Sequence, residues 1–177
     1  MAVIERILNF FGPAAVAVPE PVVPAPHTVY AIRPLTDEQL KEVMRLNLRC
    51  FPNGESYTKY TFNYLLSDPM TLSYRIVTES GEMAAFAFVM VSGNGSAHLT
   101  TIGVAPEHRR RGLAHQMLDH IETALKRREI GMLMLEVRVS NIGAQELYRS
   151  RDHYVVQRIN RYYNDGEDCF LMMKALL

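Results

Sequence analysis

The feature that most constrains this chain is a run of three arginines where a strand-like segment meets a helical one. Upstream, a strand-like run over residues 97–104 carries the apolar residues Leu99, Ile102 and Val104. After Gly112, apolar residues recur at helical spacing, at Ala114, Met117, Leu118, Ile121, Ala124 and Leu125. Arg109, Arg110 and Arg111 are therefore predicted to lie in a turn that opens a helix.

Such a turn is typical of an anion site. The first N–H groups of a helix lack intrahelical partners, and the helix dipole places partial positive charge on them. Gly112 has no Cβ, so an anion can approach the backbone closely. The arginines add forked donors that match phosphate oxygens. The turn therefore predicts a phosphate site, and a pyrophosphate suits it best.

The motif Arg109-x-x-Gly112-x-Ala114, after a strand and before a helix, resembles the acetyl-CoA pyrophosphate loop of the GNAT family of N-acetyltransferases. A second run, from Leu135 to Asn141 and on to Tyr148, is similar to the RimI-like Nα-acetyltransferase group of that family. Residues 81–87 and 162–168 also resemble this group. The resemblance covers about residues 29–177, with the motifs in the family order.

The resemblance implies which groups hold acetyl-CoA. Main-chain groups of Ile102, Gly103 and Val104 would hold the pantetheine arm and polarise the thioester. The pyrophosphate would be held by Arg109, Arg110, Arg111, Gly112, Leu113, Ala114 and His115. Asn141 would touch the CoA arm, and its place between a strand and a helix is also typical of a helix N-cap.

Three side chains are candidates for proton transfer. Glu136 interrupts an apolar strand, and it either faces solvent, pairs with an arginine such as Arg138 or Arg161, or works in a cleft. The resemblance makes Glu136 the proton acceptor of the reaction. Tyr148 is a core tyrosine by periodicity, and the resemblance makes it the proton donor to the departing thiolate.

The third of these side chains, His98, enters the strand before the arginines. It fits a structural histidine better than a second proton relay.

Two groups of residues are candidates for binding the acceptor peptide. Phe51, Pro52 and Tyr57 occupy the turn between the first two predicted helices, and Tyr162 and Tyr163 precede the last strand. Tyrosine supplies rigid apolar area and a hydroxyl that can bond a peptide backbone. The resemblance implies that these residues form two walls of the acceptor site. Ordinary loop packing is the alternative.

Composition agrees with this interpretation. A chain of 177 residues is about one domain long. The formal net charge is zero, which argues against binding to nucleic acid. Two cysteines, Cys50 and Cys169, are too few for a disulfide framework and indicate a reducing, cytoplasmic location. His115 and His120 are not on one helical face, so no metal site is predicted.

The first 28 residues differ from the rest. Residues 1–11 have the apolar spacing of a short amphipathic helix, and a proline-rich linker follows. We interpret this segment as a loosely packed arm or as a helix that docks on a partner or a surface. Neither a signal peptide nor a transmembrane segment is expected. The acetyltransferase domain is predicted to span residues 29–177.

The periodicities predict an α/β fold in the order β-α-α-β-β-β-α-β-α-β-β, and the resemblance implies a mixed sheet of about six to seven strands with flanking helices. Predicted strands are 29–33, 73–78, 83–91, 97–104, 132–139 and two that flank Asp165-Gly166. Predicted helices are 36–50, 59–66, the one after Gly112, and 141–151. The turn at residues 149–154 lacks the Gly-Phe that is common in the family at this position.

The leading functional hypothesis is an acetyl-CoA-dependent Nα-acetyltransferase that acts on a protein or peptide N-terminus. Alternatives are an acetyltransferase for lysine side chains or small amines, and a non-catalytic acyl-CoA-binding module. Glu136 and Tyr148 argue against the module.

Overall fold

The computed structural model describes residues 22–51 and 56–177. In this part of the chain, four helices and seven strands follow in the predicted order. They are β1 (Tyr30–Pro34), α1 (Leu40–Cys50), α2 (Lys59–Ser67), β2 (Thr71–Thr78), β3 (Met83–Val91), β4 (Ser96–Val104), α3 (Leu113–Lys126), β5 (Met132–Arg138), α4 (Ile142–Arg149), β6 (Tyr154–Ile159) and β7 (Cys169–Ala175). The amphipathic helix predicted over residues 1–11 lies outside the described residues.

The strands form one mixed sheet in the order β1-β2-β3-β4-β5-β7-β6. β1 pairs antiparallel with β2, and β7 pairs antiparallel with both β5 and β6, whereas β4 pairs parallel with β5. Eight of the nine residues of β3 are buried. A strand with this pattern is covered on both faces, which explains its continuous apolar sequence.

Backbone contacts divide the chain into two compact units. The first comprises Met1–Phe88 and Thr101–Met117, and the second comprises Val89–Thr100 and Leu118–Leu177. In the first unit, Phe62 packs against Phe86 and Phe88 with ring centroids 6.3 and 5.4 Å apart. In the second, alternate residues of β5 are buried, so this strand turns one apolar face to the core.

Local capping marks the start of one 3-10 turn and of one helix. The predicted capping box of Thr36 and Gln39 is present, but it closes a 3-10 turn, and α1 itself begins at Leu40. The Asn141 side chain accepts a hydrogen bond from the Ala144 N–H at 3.1 Å, which confirms the predicted N-cap of α4.

The turn after α4 contains a residue in the left-handed conformation and a buried histidine. Asp152 has a positive φ of 62°, the left-handed conformation that glycine adopts most easily. His153, which follows it, is buried. Asp152 therefore has a backbone conformation that usually requires glycine. His153 has the burial of a core residue. The predicted helix to residue 151 ends at Arg149 because the chain turns here.

Among the described residues, none of the helices has both the length and the apolar character needed to span a membrane.

Gly103 in β4 tests the packing of the first unit. A Cβ at this residue would lie 2.6 Å from the Phe86 ring and 3.0 Å from the Cys50 sulfur. We expect Gly103→Ala to lower the free energy of unfolding by about 1–3 kcal/mol, because overpacking displaces these neighbours. Urea denaturation measures this loss. Gly93→Ala is the control, because a Cβ there meets nothing within 4 Å. Equal stabilities of the two variants would contradict the packing argument.

Candidate active site

The arginine turn has a backbone suited to an anion. Arg110 and Gly112 both have positive φ angles, of 63° and 75°, and α3 begins at Leu113. The Gly112 carbonyl accepts from the Gln116 N–H at 3.0 Å, so the N–H groups between them belong to the unsatisfied first turn of the helix. A Cβ on Gly112 would meet nothing within 4 Å. The turn therefore offers backbone donors and open space together.

The three arginine side chains differ in their surroundings. Arg109 and Arg110 are exposed, and Arg109 Nε donates to the Val104 carbonyl at 3.2 Å. The Arg111 guanidinium instead donates to the carbonyls of Ala25 and Pro26 and to the Tyr30 hydroxyl. Its side chain is thus engaged with the chain itself. The contact of Arg111 with pyrophosphate stays a prediction. Because the side chain has other partners, the group available for this contact is the main chain of Arg111.

The end of β4 is closely packed. The Val104 carbonyl accepts from the Cys50 thiol at 3.4 Å as well as from Arg109. Both lone pairs of this carbonyl are therefore used within the chain. Burial raises the pKa of Cys50 to about 11, so this thiol stays protonated and is a packing group. The pantetheine contacts of Ile102, Gly103 and Val104 remain predictions.

Glu136 and His98 form a close pair in the second unit. His98 Nε2 lies 2.6 Å from Glu136 Oε2, and the side chains are 16% and 10% exposed. The β4–β5 pairing covers Ser96 to His98 opposite Met132 to Met134, and Glu136 lies beyond it on β5. Two titratable groups that share a hydrogen bond, each still in contact with solvent, can accept and pass a proton.

The partner of Glu136 differs from those expected for a structural role. Arg138 is bonded to Asp165 and Glu167, and the Arg161 N–H is bonded to Asp168. Periodicity alone did not pair His98 with Glu136, since the two residues are 38 positions apart. The signal that could have found the pair is the predicted adjacency of their strands.

Tyr148 is buried on α4, with 6% of its surface exposed. Burial raises the pKa of its phenol, so the hydroxyl keeps its proton at neutral pH. Its ring centroid lies 5.8 Å from that of His153. A protonated phenol in an apolar setting agrees with both interpretations of Tyr148, as a core residue and as a proton donor.

Tyr162 and Tyr163 lie in a loop between β6 and β7 that Arg138 holds. The Arg138 guanidinium stacks on the Tyr163 ring at 3.8 Å and donates to Glu167 at 2.6 Å and to Asp165 at 2.9 Å. The two tyrosine rings meet edge to face at 5.1 Å. The pKa of Glu167 lies below its usual value because Ser140, and then Arg138, donate to it. The predicted acceptor wall is therefore a fixed loop, and sequence reasoning missed the role of Arg138.

Phe51 and Tyr57 border the other predicted wall. The Phe51 N–H donates to the Asn47 carbonyl, which ends α1. The Tyr57 ring packs edge to face on Phe62, with centroids 5.9 Å apart. Pro52 lies outside the described residues, so only part of this wall can be placed.

One further cluster was not expected from sequence spacing. Ligand atoms of Glu82, Glu107 and His108 lie within 4.8 Å of one another. Glu107 is paired with Arg49, and His108 Nδ1 lies 2.9 Å from the Tyr30 hydroxyl. Arg49 and Tyr30 already engage two members of this cluster, so its geometry is explained by contacts within the chain.

Comparison with known proteins shows the family to which this chain belongs. Residues 40–152 match the acetyltransferase (GNAT) family. The chain is 32% identical over 146 residues to the N-alpha-acetyltransferase daf-31 of Caenorhabditis elegans, covering 78% of this chain and 79% of that protein. It is 38% identical over 99 residues to the ribosomal protein bS18 alanine N-acetyltransferase of Escherichia coli, covering 54% of this chain and 66% of that enzyme.

Solved structures agree with the sequence matches. The crystal structure of the ribosomal-protein alanine N-acetyltransferase from Escherichia coli has a TM-score of 0.76 at 30% identity, covering 84% of this chain and 94% of that one. Ard1 from Thermoplasma volcanium has the same fold, with a TM-score of 0.77 at 19% identity, covering 84% of this chain and 98% of that one. The chain belongs to the acetyltransferase (GNAT) family and is an N-acetyltransferase.

We expect the buried His153 to make the free energy of unfolding depend on pH. Burial lowers its pKa from 6.5 to about 4, so the unfolded chain binds a proton more readily between these values. Stability should therefore fall as the pH decreases from about 6.5 to about 4. We expect His153→Phe to flatten this part of the profile, measured by urea denaturation across the pH range. His115→Phe, at an exposed helix position, should keep the wild-type slope. An unchanged slope in His153→Phe would contradict the assignment.

Proposed function

We propose that this chain transfers the acetyl group of acetyl-CoA to the free α-amino group of a protein or peptide. The observation that carries the proposal is the pair of Glu136 and His98, with Nε2 and Oε2 2.6 Å apart. Acetyl transfer to an amine requires a group that takes a proton from the amine. The relatives named as N-alpha-acetyltransferase and as alanine N-acetyltransferase support this choice of acceptor.

Acetyl-CoA supplies the acetyl group as a reactive thioester. The arginine turn fits its pyrophosphate, because Gly112 opens onto free space and the next helix presents unpaired N–H groups. The exposed Arg109 and Arg110 side chains add positive charge there. In this proposal the main-chain groups of Ile102, Gly103 and Val104 hold the pantetheine arm, and Asn141 contacts it besides capping α4.

Glu136 is the proposed general base. Its carboxylate takes a proton from the α-ammonium group, directly or through one water, and leaves the amine free to attack the thioester. His98 donates its Nε2 hydrogen to Glu136 and fixes the direction in which the carboxylate points. This division of roles needs only one carboxylate oxygen for His98 and leaves the other for the amine.

Tyr148 is the proposed proton donor to the thiolate that departs when the C–S bond breaks, and the second proton lost by the attacking nitrogen passes to the phenolate and restores Tyr148. Its raised pKa ensures that the phenol carries a proton at neutral pH, which a donor needs.

Two reasons support an N-terminus as the acceptor: the pKa of its amino group and the shape of the loop beside which it would bind. An α-amino group has a pKa of about 8 and a lysine about 10.4, so freeing the lysine nitrogen costs roughly 3 kcal/mol more. A single carboxylate suits the easier proton. Tyr162 and Tyr163, held by Arg138, form a rigid wall beside which a chain end can bind. Phe51, Pro52 and Tyr57 complete the proposed acceptor site.

A cytoplasmic location, a docking role for residues 1–28 and a lack of nucleic-acid binding remain predictions from the sequence. The free thiols of Cys50 and Cys169 agree with a reducing compartment.

Glu136→Gln tests the general base. We expect kcat to fall by about a hundredfold or more at neutral pH, because the amide cannot accept the proton. The defect should shrink as the pH rises above 8, since more of the α-amine is then unprotonated. Steady-state rates with a peptide across this pH range measure the effect. Glu146→Gln, on the exposed face of α4, is the matched control. A normal rate in Glu136→Gln at neutral pH would remove this residue from the mechanism.

A panel of peptides tests the acceptor. Peptides with a free N-terminus and internal lysines should be acetylated at the α-amine, whereas copies with a formylated or acetylated N-terminus should not react. Mass spectrometry with fragmentation locates the added group. Tyr163→Ala should raise the peptide KM several-fold, because it removes the ring against which Arg138 stacks. Lysine products from blocked peptides at comparable rates would favour the lysine or small-amine alternative. Acetyl-CoA binding without any transfer would favour the non-catalytic module.

A further inference from the structure

The segment before β1 is bound to the arginine turn within the first unit. Arg111 Nη1 donates to the Pro26 carbonyl at 2.8 Å and to the Tyr30 hydroxyl at 2.9 Å, and Nη2 donates to the Ala25 carbonyl. In the opposite direction, the Ala25 N–H donates to the Glu107 carbonyl at 3.0 Å. We call residues 25–30 the clamp segment. It contacts the turn on both its strand side and its helix side.

Tyr30 joins this contact to a buried histidine. A guanidinium has no acceptor, so the Tyr30 oxygen must accept from Arg111. The hydroxyl hydrogen is then free to donate to His108 Nδ1, 2.9 Å away. This arrangement leaves the hydrogen on His108 Nε2, which faces Glu82 Oε2 at 4.0 Å. One neutral hydroxyl therefore links the turn, the clamp segment and the core.

The clamp segment is itself held at two further residues. Thr28 Oγ1 accepts from the Glu79 N–H at 3.3 Å, and Tyr30 pairs with Thr78 in the β1–β2 ladder. Glu107, whose carbonyl receives the Ala25 N–H, is paired through its side chain with Arg49. The clamp segment is thus a fixed support and not a loose tail at these residues.

The turn has physical reasons to need such a support. Three adjacent arginines repel one another, and Arg110 holds a left-handed backbone that costs an ordinary residue about 1–2 kcal/mol. If a loop becomes ordered only when the ligand binds, the loss of conformational entropy weakens the affinity. A loop that is already ordered binds more tightly for the same contacts.

We propose that Arg111 is a positioning residue, which holds the arginine turn in its anion-binding shape through the clamp segment and Tyr30. This inference rests on the proposed function for its ligand, acetyl-CoA. It assigns to residues 25–30, which lead into and include the first residue of β1, an effect on cofactor affinity that acts through the turn. Arg109 and Arg110 remain the exposed side chains of the turn.

Two substitutions in the full chain test the proposal without touching the turn. Ala25→Pro removes the N–H that donates to Glu107, and Tyr30→Phe removes the hydroxyl that accepts from Arg111. Each should raise the acetyl-CoA Kd about three- to tenfold by calorimetry, the range expected for loss of one hydrogen bond. The kcat at saturating acetyl-CoA should not change. Val23→Pro is the matched control, because Val23 is exposed and lies just before the clamp segment.

Arg111→Gln distinguishes positioning from direct phosphate contact. If Arg111 acts through Tyr30, the double variant Arg111→Gln/Tyr30→Phe should bind acetyl-CoA about as weakly as Arg111→Gln alone. Additive losses, or a loss in Arg111→Gln with wild-type affinity in both Ala25→Pro and Tyr30→Phe, would overturn the proposal.

Hydrogen exchange separates this inference from the proposed function. Without any ligand, the amides of residues 109–113 should exchange several-fold faster in Ala25→Pro and Tyr30→Phe than in wild type or Val23→Pro. If wild type fails to bind acetyl-CoA, the proposed function fails, and the exchange rates still decide whether the clamp segment orders the turn. Unchanged exchange in both variants would overturn it.

Discussion

The parallel pairing of β4 with β5 is the constraint on which the rest of the candidate site depends. Antiparallel neighbours can be joined by a tight turn. Two parallel strands need a crossover connection that returns the chain to the end of the sheet at which the first strand began. Here the crossover holds the arginine turn and α3. The end of β4 is therefore followed at once by the N-terminus of a helix, which is where backbone chemistry favours an anion.

The same pairing brings His98 and Glu136 together. His98 lies at the last paired residue of β4, and Glu136 lies two residues past its partner Met134 on β5. The spacing brings two polar side chains from distant parts of the sequence within 2.6 Å. Each partner is largely but not completely buried, so the pair is shielded from competing water and can still exchange protons. One sheet contact thus brings His98 and Glu136 together within the second unit.

Charge is distributed unevenly along the arginine run. Arg109 and Arg110 face solvent, while Arg111 donates to main-chain carbonyls that precede β1 and to the phenol of Tyr30 at the start of β1. Arg138 has a similar role in the loop of Tyr162 and Tyr163. Its guanidinium stacks on the Tyr163 ring and donates to the carboxylates of Asp165 and Glu167. In both cases one guanidinium joins segments that are distant in the sequence, because its five donors can satisfy several acceptors at once.

The sequence by itself determined the order of the elements, the helix start after Gly112 and the Asn141 cap, because periodicity and capping depend on neighbours in the chain. Family motifs marked Glu136 and Tyr148 as candidates for proton transfer. Only the tertiary structure decided that Glu136 meets His98 rather than an arginine, and that the Arg111 side chain turns to its own backbone. Those partners come from distant segments. Which acceptor a charged side chain finds depends on strand register and on burial, which no local pattern records.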